Sequence, residues 1–247
     1  LLVIKKEVWA LDLKKTLQKE DYKMNYQHYD LIADLFDYPD AKYPDRVKNV
    51  TGYLKDNYPK ASEPLDAFLK LLPEENVDEM QELFTRSFDV QSVTTLDVGY
   101  VLFGDDYKRG ELLSNLMKEH NKVKNNCGTE LADHLPNILR LLARLKDKEL
   151  AVEMVKEIIF PAVKKMIGEF SPDRLETKKE SYKKHYKTLI EVSENKETLY
   201  VYTLMALDTV FCADFILTEK KQNKPTSDFI KSVVGEMKIE NQFNDRG

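Results

Sequence analysis

The stretch GTELADHLPNILRLL, residues 128–142, combines the two features that decide how this chain folds. Apolar residues recur through it at helical spacing, at Leu131, Leu135, Ile138, Leu139 and Leu142. Polar residues share the neighbouring face, at Glu130, Asp133, His134 and Asn137. The spacing predicts a helix over 130–146, and Pro136 fits its front because early helical positions lack intrahelical N–H partners.

The composition supports helices along the rest of the chain. The sequence has 247 residues, of which 42% are hydrophobic and 33% are charged, so a buried core is expected and disorder is not. Glycine (8) and proline (9) are sparse, which disfavours a turn-rich β architecture. The sequence therefore predicts an all-α fold, a single globular domain of about eight to ten helices.

The helical period continues outward in both directions from 128–142. The first core helix starts near Tyr26 and ends at the YPD of 38–40, because Pro39 disfavours helix in the residue before it. Further helices are predicted over 44–58, 62–73, 76–89, 106–120, 148–168 and 196–220. The β-branched stretch 90–98 has no partner strand in view and is predicted to be a loop or a short helix.

Four regions are expected along the chain. Residues 1–23 form an amphipathic extension, which either packs on its own domain or docks on a partner. Residues 24–170 form the core, and 171–220 form a charged connector and a C-terminal helix of the same domain. Residues 221–247 are expected to be a loosely ordered tail.

Charge and hydropathy exclude several classes of protein. The net charge of −5 gives no general attraction to nucleic acid. No stretch approaches the ~18 consecutive apolar residues of a membrane span, and the first residues lack the pattern of a secretory signal. A cytoplasmic protein is expected. Cys127 and Cys212 are expected to be reduced thiols, although one long-range disulfide stays open.

The chemical motifs that would indicate an enzyme are weak. Gly99 and Gly104 have the spacing of a phosphate loop, but aspartates follow where Lys and Ser or Thr are needed. The histidines form no zinc-binding pair, and no nucleophile elbow is present, so neither a metal nor a reaction is predicted. The polar face of 130–137 could be a hydrated helix front or a binding site for a basic, apolar peptide.

Five stretches together resemble one protein family. They are LFDYPD (35–40), LFTRSFD (83–89), GYVLFGDDYKRGELLSNL (99–116), ELADHLPNILRLLARL (130–145) and IIFPAVKKM (158–166). Their order and spacing resemble the NarJ-type nitrate-reductase molybdenum-cofactor assembly chaperones, which belong with the TorD and DmsD types to the redox-enzyme maturation proteins. The resemblance covers about 29–168. The family often has Pro where this chain has Ala132, and an aromatic residue at Met80.

The resemblance implies a TorD-like, all-helical chaperone without a cofactor, a bound metal or a reaction of its own. Its partner would be the apo catalytic subunit of a molybdenum iron–sulfur oxidoreductase of the nitrate or nitrite type. The chaperone would bind that subunit's N-terminal leader until the molybdopterin guanine dinucleotide cofactor is inserted. An alternative is an accessory subunit that stays in the mature oxidoreductase complex, with extra surface provided by residues 1–23 and the C-terminal helix.

The resemblance also suggests which residues bind the client. Glu130, Asp133 and His134 would contact the basic or polar part of the leader. Tyr107, Arg109 and Gly110 would shape the adjacent wall, unless Tyr107 and Gly110 match only because helices pack closely there. The apolar contacts would come from Leu135 and Phe103, beside the bend at Pro136. An enzyme using Glu130, Asp133 and His134 is the remaining alternative.

Overall fold

The computed structural model describes residues 25–186 and 198–215, together with Leu217 and Phe229. The expected extension at 1–23, the part of the connector at 187–197 and nearly all of the expected tail at 221–247 lie outside the described residues. Within the described part, no helix has both the length and the apolar character that crossing a lipid bilayer requires.

Helices form nearly all of the regular structure in the described residues, so the all-α prediction is confirmed. Helix α1 (His28–Ile32) continues into a 3-10 turn at Ala33–Phe36. The next helices are α2 (Tyr43–Asn57), α3 (Pro59–Leu71), α4 (Val77–Phe88), α5 (Val98–Phe103), α6 (Tyr107–Val123) and α7 (Leu135–Arg144). Helix α8 (Lys148–Met154) passes through a π-helical turn at Val155–Ile159 into α9 (Phe160–Glu169), and α10 (Pro172–Tyr186) and α11 (Val201–Asp214) follow.

Side-chain caps and prolines set where several helices begin. The side chain of Asn76 accepts a hydrogen bond from the backbone N–H of Glu79 at 3.1 Å. Asp106 caps α6 in the same way, since its carboxylate accepts from the N–H of Lys108 at 2.9 Å. Pro59 begins α3, so this helix starts before the predicted Ser62 and Pro64 lies inside it.

Helix α11 lies at the centre of the core, packed against α3 and α9. Its apolar residues are distributed around the helix, and on one side Met205 and Cys212 are exposed to solvent. Just before it, the Tyr200 ring contacts the rings of Phe68, Phe84 and Phe88, each at 5.3 Å between centroids. Leu204, Leu207 and Phe211 are buried, whereas Met205 is 42% exposed, so the expectation that this helix offers extra surface to a larger complex stays a prediction.

The C-terminal end of α11 is tied to the start of the domain by one carboxylate. Asp214 accepts hydrogen bonds from the hydroxyls of Tyr29 (2.9 Å) and Tyr58 (2.7 Å). The Nε2 atom of His28 lies 2.7 Å from the same carboxylate, and both side chains are buried. These bonds join α1, the α2–α3 turn and α11.

The predicted helix over 130–146 is wrong at its front, because α7 begins only at Leu135. Residues 131–135 instead pair with the loop that precedes α5. The N–H of Val98 donates to the carbonyl of Asp133, and the N–H of Leu135 donates to the carbonyl of Leu96, each at 2.9 Å. Asp97 and His134 form an isolated β-bridge between the two segments. The predicted polar helix face at 130–137 therefore does not exist.

Candidate functional site

A cleft of about 670 Å³ opens between the turn after α1, the end of α4, the loop before α5 and the front of α7. Its apolar lining comes from Phe36, Phe84, Phe88, Leu96 and Pro136. All five side chains are buried, so they form the base of the cleft. The exposed residues Tyr38, Asp89 and Glu130 lie at its rim.

The lining comes mainly from three of the five stretches that carry the family resemblance. LFDYPD provides residues 36–38, and LFTRSFD provides Phe84, Phe88 and Asp89. The third stretch, 130–145, provides Glu130, His134, Pro136, Asn137 and Arg140. Segments about 100 residues apart in sequence thus meet at one surface, a convergence that none of the motifs shows by itself.

The charged groups of the lining are predominantly acidic. They comprise one guanidinium, that of Arg140, and four carboxylates, those of Asp37, Asp89, Asp97 and Glu130. The Nη2 atom of Arg140 donates to Asp37 at 2.6 Å, so the charges of these two side chains neutralise each other. The carboxylates of Asp89 and Glu130 stand at the exposed rim, where a cation on a ligand could reach them.

Asp97 connects the cleft to the interior of the domain. One of its carboxylate oxygens lies 3.1 Å from Nδ1 of His134, and the other accepts from Nη2 of Arg109 at 2.8 Å. Burial by itself would raise the pKa of Asp97. The hydrogen bond and charge of His134 and the charge of Arg109 outweigh burial and hold this pKa below its usual value. Asp97 therefore remains a carboxylate at neutral pH.

Asp133 lies behind the cleft, with a side chain that is 0% exposed. Its Oδ2 atom accepts from Nε of Arg109 at 3.0 Å and from the backbone N–H of Gly99 at 3.2 Å. Its predicted place on an exposed helix face is therefore wrong, and the structure gives it no access to a ligand. Asp133 instead fixes Arg109, which in turn holds Asp97.

Gly99 permits this close approach. A Cβ atom at position 99 would stand 2.6 Å from Oδ2 of Asp133 and 3.1 Å from side-chain atoms of Arg109 and Leu112. In the sequence, Gly99 begins one of the five stretches and has phosphate-loop spacing to Gly104, but neither feature indicates this contact. Its role in the fold is to let the first turn of α5 reach the buried carboxylate.

Of the predicted client-binding residues, Glu130, His134 and Pro136 line the cleft. Leu135 is fully buried in the core, so the predicted apolar contact with a client is wrong for this residue. Arg109 is outside the cleft lining and donates to Asp97, which lines it. Phe103 is half-buried on α5 and does not line the cleft.

Tyr107 and Gly110 lie on the exposed face of α6, away from the cleft lining. The Tyr107 side chain is 65% exposed. A Cβ atom at Gly110 would find no atom within 4 Å. The alternative that close helix packing explains these two residues is therefore wrong.

Sequence reasoning missed several residues that line the cleft: Phe36, Asp37, Tyr38, Phe84, Phe88, Asp97 and Arg140. Most lie in stretches that were recognised for the resemblance but not assigned to the site. The order and spacing of those stretches in the sequence were the available signal. Their meeting in space depends on tertiary packing.

Comparisons with known proteins do not assign the chain to a family. No protein-family model matches the chain, and no curated protein matches it.

The described residues contain no group of three or more His, Cys, Asp or Glu side chains arranged to hold a metal ion. The thiols of Cys127 and Cys212 are free, and Cys127 lies in the cleft lining.

Proposed function

We propose that this protein is a non-catalytic assembly chaperone for a molybdenum iron–sulfur oxidoreductase of the nitrate or nitrite type. In this proposal it acts in the cytoplasm and binds the N-terminal leader of the apo catalytic subunit while the molybdenum cofactor is inserted. One observation carries the proposal. Three separate stretches that resemble the NarJ-type chaperones supply most of the lining of a single cleft.

The chemistry of the cleft suits a segment of another chain that is both apolar and basic. Its volume lies in the range of ~300–1,000 Å³ that is common for binding sites in proteins. The buried rings of Phe84 and Phe88 offer apolar surface, and burial of a ligand against them is favourable by ~25 cal/mol per Å². Asp89 and Glu130 at the rim would attract basic residues that flank the apolar part.

Binding alone would be sufficient for this function. A ligand that binds one state of the client raises the population of that state by mass action. A leader that becomes ordered on binding loses part of its interaction energy to the entropy of ordering. We therefore expect micromolar affinity, which allows release once the cofactor is in place.

The internal bonds of Asp133 and His134 disfavour a reaction that uses Glu130, Asp133 and His134 together. Asp133 is held by Arg109 and Gly99, and His134 is held by Asp97. An enzyme built on Glu130, Asp133 and His134 would lose turnover in a His134→Ala variant. A binding protein would show only weaker leader binding in that variant.

The test is recovery of the client from native cells with an affinity-tagged full chain. We expect the catalytic subunit of a molybdoenzyme, identified by mass spectrometry, with a molybdenum content far below one atom per subunit. A charge-reversed rim variant, Asp89→Lys with Glu130→Lys, should recover much less of it. Stoichiometric recovery of the cofactor-loaded complex would instead support the alternative of a retained accessory subunit, and recovery of no molybdoenzyme would contradict both.

A further inference from the structure

The loop at 125–134 forms one wall of the cleft, and a buried polar network holds it in place. At the centre of the network is His120 near the end of α6, whose side chain is fully buried. Its Nε2 atom lies 3.0 Å from the carbonyl oxygen of Ala132. Because a carbonyl only accepts, Nε2 carries the proton and donates it to the loop.

Two asparagines complete the network. The Nδ2 atom of Asn125 lies 2.9 Å from Nδ1 of His120 and donates to the carbonyl of Asn137 at 3.1 Å. The Nδ2 atom of Asn137 donates to the carbonyls of Cys127 (3.2 Å) and Leu131 (3.0 Å). Five bonds to or from the loop thus depend on one arrangement of donors and acceptors.

This arrangement requires a neutral imidazole. Nδ1 of His120 accepts from Asn125, so a proton on Nδ1 would place two donors against each other. Rotating the Asn125 amide by half a turn would not relieve the conflict. The amide oxygen would then face the carbonyl oxygen of Asn137, which is itself an acceptor. A proton on His120 therefore costs at least one bond that holds the loop.

The surroundings favour the neutral form as well. Burial lowers the pKa of His120, and the hydrogen bond to Ala132 offsets this only in part. On its own helix the nearby charges of Glu119 and Lys122 pair with each other at 2.7 Å. The titratable and charged groups on the loop include the exposed Glu130, Asp133 with its partner Arg109, and His134 with its partner Asp97. On α7, Arg140 and Arg144 pair with Asp37 and Asp30.

We propose that His120 is a proton-sensitive positioning residue, which keeps the cleft wall in place when neutral and loosens residues 125–134 when protonated. The sign follows from linkage. The imidazole of a loosened loop would titrate near its ordinary pKa of ~6.5, whereas the imidazole of the closed loop titrates lower. Acid therefore favours the loosened loop. The consequence for leader affinity rests on the proposed function, whereas the loosening itself does not.

The experiment combines two measurements on the full chain between pH 7.5 and 5. Nitrogen-15 NMR of the imidazoles gives the tautomer and pKa of His120, and hydrogen exchange, corrected for its intrinsic pH dependence, gives the protection of 125–134. We expect an Nε2–H tautomer at neutral pH. Loop protection should fall as pH falls, about tenfold for each unit by which the pKa of the closed state is lowered. Helix α2 should keep its protection.

Two matched variants distinguish the effect of protonating His120 from that of protonating His134, the other histidine of this wall. His120→Gln cannot take up a proton and should abolish the pH response, even where it loosens the loop at neutral pH. His134→Gln should keep the response. An Nδ1–H tautomer, constant loop protection while His120 titrates, or a response lost only in His134→Gln would overturn the proposal. If the loop responds as expected but no leader peptide binds at any pH, the switch stands and the proposed function fails.

Discussion

Asp133 and Arg109 form an ion pair inside the protein, with 3.0 Å between the carboxylate oxygen and Nε of the guanidinium. The same guanidinium donates to Asp97, which faces the cleft. Asp133 therefore influences the cleft without reaching it. Glu130, only three residues earlier, is exposed at the cleft rim.

This difference predicts opposite outcomes for two neighbouring acids. Asp133→Ala should lower the free energy of unfolding by about 3 kcal/mol, the lower end for a broken buried pair, because Arg109 keeps Asp97 as a partner. Glu130→Ala should change it by less than about 0.5 kcal/mol. Urea denaturation of the two variants measures both values. Equal effects would contradict the positions of these carboxylates.

Two glycines on the α5–α6 hairpin provide a second matched pair. Gly99→Ala brings a methyl group within 2.6 Å of Asp133, so we expect a loss of about 1–3 kcal/mol from overpacking. Gly110→Ala adds a methyl group to open space on an exposed helix and should stabilise the protein by about 0.5–1 kcal/mol. Thermal unfolding of the two variants shows whether each substitution lowers or raises the stability. A stabilising Gly99→Ala would contradict the close approach at α5.

The bonds of Asp97 predict a pH dependence of stability. Since the folded protein holds the pKa of Asp97 below that of the unfolded chain, ionised Asp97 contributes stability above the unfolded pKa. This contribution is lost as pH falls through the folded pKa. The stability difference between wild type and Asp97→Asn should shrink as the pH falls below about 4. A stability difference between wild type and Asp97→Asn that grows as the pH falls would contradict a lowered pKa of Asp97.

Replacement of two aspartates on α11, one with several buried partners and one with a single exposed partner, should affect stability to different extents. Asp214→Ala leaves two tyrosine hydroxyls and His28 without their buried partner, so we expect a loss of about 3 kcal/mol in the free energy of unfolding. Asp208→Ala removes a pair with Lys164, whose side chain is half exposed, and should cost about 1 kcal/mol or less. Denaturant unfolding measures the free energy of unfolding of both variants. A larger loss for Asp208→Ala than for Asp214→Ala would contradict the stabilising role of the Asp214 hydrogen bonds.

The helices were predictable where local signals decide them. Asn76 and Asp106 cap α4 and α6, and Pro59 begins α3 close to where the helical pattern resumes. The front of α7 was not predictable in this way. Residues 130–134 have helical spacing, but pairing with 96–98 and burial of Asp133 against Arg109 outweigh that local preference.

The site shows the same division between local and long-range information. The resemblance identifies stretches that line the cleft, and three of the residues it suggests, Glu130, His134 and Pro136, are in that lining. It cannot show that Arg140 pairs with Asp37, 103 residues away, or that Leu135 points into the core. Such facts depend on how α1, α4 and α7 pack.

The most direct test of the central proposal is calorimetric titration of the chain with synthetic N-terminal leaders of the source organism's molybdoenzyme catalytic subunits. We predict micromolar binding of one leader to the wild type. Asp89→Lys with Glu130→Lys should weaken it by about tenfold or more, while Glu63→Lys with Glu176→Lys, at exposed acids outside the cleft lining, should leave it nearly unchanged. No binding of any leader, or equal affinity in both double variants, would contradict the proposal.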